Sequence, residues 1–73
     1  MTDLDMLARA IANNATEFTD RTPTLGTLLE EVAEYARAVE GKHEHTPEHE
    51  LIQIGGIILN MLRLRWEELD LQD

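Results

Sequence analysis

The chain contains no cysteine. That excludes a disulfide framework and any thiolate zinc site, so a metal would have to be held by His or carboxylates. Positive charge is scarce: six Lys and Arg stand against fifteen Asp and Glu, a formal net charge of −9. Phosphate backbones are gripped by Lys and Arg, so no nucleic-acid partner is expected. An acidic protein can still handle a phosphorylated small molecule when divalent cations neutralise both sides. No long hydrophobic run is present either. The longest, Leu51 to Leu62, is interrupted by Gln53 and Asn60 and is too short to span a bilayer. With no leader peptide to read, the expectation is a cytoplasmic protein with no membrane partner. Strand-like alternation and internal repeats are also missing.

What remains is helical. Leu4, Leu7, Ile11, Ala15 and Phe18 recur at helical spacing and predict an amphipathic helix over 3–19. Asp20-Arg21-Thr22-Pro23 breaks it. A second helix starts at a cap provided by Thr22, Thr24 or Thr27 and stops at Gly41, where a left-handed residue is wanted. After the polar loop KHEHTP, Thr46 is placed to cap a third helix with Pro47 at its first position, running to about Leu69. The expected fold is a single all-α domain over 1–73 with three helices.

The third helix is apolar on nearly every side from Leu51 to Leu62. Such a helix is buried all round, and two neighbours from a 73-residue chain cannot cover it. Homo-oligomerisation into a shared four-helix-type bundle core is therefore expected, as a homodimer or homotetramer. Gly55-Gly56 in mid-helix costs about 1 kcal/mol per residue relative to Ala, which close approach of another helix would offset; a kink is the alternative.

Gln53 and Asn60 are the polar residues of that apolar stretch and lie about 20° apart around the helix, with Glu50 and Arg63 extending the stripe. A buried amide without a partner costs on the order of 1–3 kcal/mol, so the stripe should meet another polar surface. On the second helix Glu30, Glu31 and Glu34 share one sector, opposite Leu25, Leu29, Val32, Ala36 and Val39. Beside an apolar helix their mutual repulsion becomes expensive unless protons or cations intervene. Mg²⁺ and Mn²⁺ prefer oxygen donors, and carboxylates pointing into a bundle are a known way to hold them.

LLEEVAEYARAV followed by ELIQIGGIILNML resembles the MazG-type all-α nucleoside triphosphate pyrophosphohydrolases over roughly residues 18–66. That family carries EExxE on one helix and ExxD on the next, with an Asn seven residues after the Asp. Glu30-Glu31-Val32-Ala33-Glu34 matches the first motif, Glu50 opens the second, and Asn60 falls at the expected offset. The resemblance implies a helical homo-oligomer that uses Mg²⁺ (or Mn²⁺) to hydrolyse an NTP or dNTP to the monophosphate and pyrophosphate. It implies metal ligation by Glu30, Glu31, Glu34, Glu50 and Gln53, with Glu31 and Glu34 also serving catalysis. Asn60 would hydrogen-bond the nucleotide; Arg63 and Lys42 are candidates for phosphate charge by position. Gln53 departs from the pattern, standing where the family has Asp. Its neutral amide oxygen can coordinate but adds no charge, so metal affinity should fall and one of two metals can be lost. The alternative is a non-catalytic helical oligomer that keeps the scaffold and binds a nucleotide or a protein partner.

Plainer roles compete for the same residues. Thr27 and Glu30 fit a capping box, and Glu50 lies in a first helical turn, where any acid is favoured. Gln53 and Asn60 can pair with their symmetry mates across a dimer. His43, His45 and His49 span a loop and a helix start without regular zinc-ligand spacing, and read as part of a solvated acidic loop. Trp66 reads as an interface or end-packing residue.

Overall fold

The structure, a computed structural model, describes residues 3–17 and 23–70. Helix α1 (Leu4–Glu17) follows Asp3, whose Oδ1 accepts the Asp5 N–H at 2.9 Å. Phe18 and Thr22 lie outside the described residues. Helix α2 (Leu25–Val39) is capped by Thr24, whose hydroxyl oxygen accepts the Thr27 N–H at 3.1 Å. Of the candidate caps it is Thr24 that serves, so Thr27, the cap in the competing capping-box reading, sits inside the first turn. Helix α2 ends in a Schellman turn. Gly41 takes φ +74°, its N–H reaches Ala38 O at 3.0 Å, and the Lys42 N–H reaches Arg37 O at 2.9 Å. Thr46 caps α3 (Pro47–Asp70) through its hydroxyl, which accepts the His49 N–H at 3.2 Å. The described residues form three helices and no strand. None of these helices is long and apolar enough to cross a membrane.

Helix α3 is the spine. Both α1 and α2 pack on it, and they do not pack on each other. The resulting slab measures 47 × 32 × 16 Å; its thin dimension is little more than one helix of roughly 10–12 Å. Gly55 and Gly56 mark where α1 crosses. A Cβ on Gly55 would meet Ile11 Cγ2 at 2.9 Å, and one on Gly56 would meet the Asn14 side-chain oxygen and the Ala15 backbone N. Close approach of α1 accounts for the pair, and α3 continues as a helix through it.

A slab this thin buries little. Ala15, Ala38 and Ile57 are the buried apolar side chains among the described residues. On α1, Leu4 and Leu7 stay exposed while Ala15 is buried, so only the C-terminal half of its apolar face is covered. Helix α2 turns its acidic sector toward α3 and its apolar sector outward. Glu31 is buried, whereas Leu25, Leu29, Val32 and Val39 face out.

Candidate metal centre

The orientation of α2 carries its carboxylates inward, onto the first turn of α3. Glu31 is 5% exposed and Glu50 fully buried, and Glu34 is half-buried beside them. Oxygens of Glu31, Glu34 and Glu50 all lie within 4.8 Å of one another. Glu30, one residue before Glu31 and so rotated by about 100°, is exposed and stands outside this group.

Three carboxylates this close cannot all ionise cheaply. Burial, then the hydrogen bond and charge of Glu34, then those of Glu50, push the Glu31 carboxyl up to about 7. Glu50 behaves oppositely. Burial works to raise it, but hydrogen bonds from His45 and Glu31 and the charge of His43 hold it below the usual carboxylate range.

The histidines come from the loop between Gly41 and Thr46. Because Glu50 is ionised, its Oε1 can only accept, so His43 Nε2–H and His45 Nδ1–H both donate to it, each at 3.1 Å. The loop is thus folded over the α3 terminus, not simply solvated: the His43 side chain is 16% exposed. The sequence reading set these two Glu50 partners aside because His43, His45 and His49 lack a regular metal-ligand spacing. The signal that could have found them is the shortness of the loop. Four residues between a left-handed Gly41 and the Thr46 cap leave the imidazoles little room except above the first turn of α3. His49 turns elsewhere, its Nε2 accepting from the Gln53 side-chain amide at 3.0 Å.

No family model, curated protein or solved structure matches this chain.

The remaining sequence candidates are dispersed. The Gln53 amide nitrogen is occupied by His49 one turn away. Asn60 is buried, but it faces α1 instead of the α2 carboxylates, donating from Nδ2 to Ala15 O at 3.1 Å and satisfying a carbonyl of the last α1 turn. The polar stripe of α3 therefore meets two surfaces, Glu50 the α2 acids and Asn60 the α1 end. Arg63 pairs with Glu67 at 2.9 Å, and Lys42 with Glu40 at 3.5 Å, all four exposed. Asn60 and Arg63 line one groove of about 500 Å³ with Ala12, Ala15, Thr16 and Leu59. It lies ten residues along α3 from Glu50, roughly 15 Å at the helical rise.

A divalent cation fits the carboxylate set on its own chemistry. The donors are all oxygens, as Mg²⁺ and Mn²⁺ require, and Glu50 Oε2 is buried with no hydrogen-bond partner. A buried acceptor left in that state is costly, and a cation is one way to satisfy it.

Proposed function

We propose that this chain is a metal-dependent, MazG-like nucleotide pyrophosphohydrolase that splits an NTP or dNTP into the monophosphate and pyrophosphate. The observation that carries the reading is the convergence of Glu31, Glu34 and Glu50 from two helices within 4.8 Å. Those three residues would hold Mg²⁺ or Mn²⁺. When bound, such an ion neutralises phosphate charge and acidifies a water. A glutamate of the set not fully engaged by the ion, Glu31 or Glu34, would accept the proton of that water. The groove bearing Asn60 and Arg63 is of ligand size and gives the nucleotide a second contact beyond the carboxylates. A cytoplasmic nucleotide pool is the matching source of substrate.

The same reading includes self-association. On α3, Leu51, Ile58, Leu62 and Leu69 are each about half exposed and fall within about 20° of one line along the helix. The outward stripe Leu25, Leu29, Val32 and Val39 of α2 is exposed as well. Pairing α2 and α3 with the same helices of a second copy makes a four-helix core from two apolar faces.

The test is a panel of NTPs and dNTPs assayed for pyrophosphate release with Mg²⁺ and with Mn²⁺. Turnover of at least one nucleotide is expected, lost in Glu34→Gln. Absence of turnover across the whole panel with both metals would sink the enzymatic reading.

A further inference from the structure

Glu50 belongs to two groups. Besides the carboxylate set, it forms a second one with His43 and His45, whose ligand atoms also lie within 4.8 Å of one another. In this second group both imidazole nitrogens converge on a single oxygen, Glu50 Oε1, at 3.1 Å each. Zinc bonds to nitrogen and oxygen of about 2.0–2.1 Å put neighbouring ligands of a tetrahedron roughly 3.3–3.4 Å apart. The two N···O separations therefore already stand near the spacing that a bound ion needs. The carboxylate is fully buried, and its Oε2 has no hydrogen-bond partner. Among the described residues, the nitrogen side chains within ion-pair distance of Glu50 are the imidazoles of His43 and His45.

We propose that His43, His45 and Glu50 form a second cation site, for a zinc-class divalent ion, sharing Glu50 with the three-carboxylate set. The donor sets differ in kind: two imidazoles and one carboxylate select Zn²⁺, Co²⁺ or Ni²⁺, whereas carboxylates alone suit Mg²⁺ and Mn²⁺. Three protein ligands leave a tetrahedral ion one open position. Binding changes tautomers without a net loss of protons from the neutral rings. The proton of His43 moves from Nε2 to Nδ1 and that of His45 from Nδ1 to Nε2, freeing the inward nitrogens to coordinate. His49 stays out of the set, because its Nε2 is held by Gln53 although its ring centroid lies 4.3 Å from that of His45.

The site does not depend on nucleotide hydrolysis, and the ion alone tests it. The chain, ¹⁵N-labelled and apo, is titrated with Zn²⁺ while the imidazole nitrogens are followed by NMR. One equivalent is expected to move His43 Nε2 and His45 Nδ1 to metal-bound shifts and leave both His49 nitrogens in place. Substituting His43→Ala or His45→Ala should weaken Zn²⁺ binding by roughly tenfold or more, since loss of even an outer-shell partner costs that much. His49→Ala should not. The His45 side chain is 44% exposed, so His45→Ala is expected to keep its helicity, and the spectra of the natural chain need no variant. Glu34→Gln separates the two readings: it should abolish pyrophosphate release and retain Zn²⁺. Unmoved His43 and His45 nitrogens, or unchanged Zn²⁺ affinity in His45→Ala, would overturn the proposal.

Discussion

Glu31 concentrates the conflict between burial and charge into one side chain. Its carboxyl, ordinarily near 4.5, is pushed up to about 7 by burial and by Glu34 and Glu50. A folded-state value above the unfolded one stabilises the fold fully below about pH 4.5, and that contribution is lost as pH rises through 7. Glu50 has the opposite sign: its folded value is depressed, so its contribution is present above the unfolded value and lost as acid protonates it. In EDTA, Glu31→Gln is expected to gain on the natural chain by on the order of 1–3 kcal/mol between pH 5 and pH 8. Urea unfolding at fixed protein concentration measures this, and a pH-independent difference would show that Glu31 ionises normally. The acidic group itself was legible from EExxE spacing. Which two of its three glutamates turn inward was not, because that depends on the rotation of α2 about its axis. The rotation is fixed by packing on α3 and leaves Glu30 exposed.

The elements were legible where local chemistry decides them. Gly41 and Thr46 end and begin helices by backbone geometry that their own side chains permit or supply, and both were readable without knowing any neighbour. The start of α2 had three candidate threonines within six residues, and selecting Thr24 required the hydrogen bond it makes. Gly55-Gly56 was legible as an anomaly, and the structure supplies its cause in α1. Opposite signs are expected from one substitution at two helical glycines. Gly56→Ala gains about 1 kcal/mol in helix propensity, but its methyl meets Ala15 N at 3.2 Å and the Asn14 carboxamide. Displacing α1 should make the net change destabilising by roughly 1–3 kcal/mol. Gly26 is exposed near the start of α2, and a Cβ there meets Thr24 Oγ1 at an ordinary 3.7 Å. Gly26→Ala should stabilise by about 0.4–1 kcal/mol. Paired thermal melts decide both, and a stabilising Gly56→Ala would show that α1 does not sit against α3 there.

The whole molecule carries too much surface for its mass. At 8.3 kDa a compact monomer exposes about 4,600 Å², whereas this chain exposes 5685 Å². The excess of roughly 1,100 Å² is comparable with the 800 Å² or so that each partner gives to an interface of standard size. A helix that is apolar all round, as the sequence has it, keeps an uncovered side as long as only α1 and α2 pack on it, which is why Leu51, Ile58, Leu62 and Leu69 remain about half exposed. The inward acids of α2 have the same consequence, since a helix that points its charged sector at the spine must point its leucines away. The self-association proposed above would account for the two exposed stripes and the excess area together. Light scattering on a sizing column should give at least twice the 8.3 kDa chain mass. Ile58→Asp, central in the α3 stripe, places a charge against apolar side chains of the second copy. It should lower the mass to that of one chain and reduce helicity with it, because a slab with this little buried apolar surface is marginal alone. Leu4→Asp, on the far end of α1 and 79% exposed, should leave the assembly intact. A natural chain that runs as an 8.3 kDa species at high micromolar concentration, or an Ile58→Asp chain that keeps its mass, would place the missing cover somewhere other than a second copy.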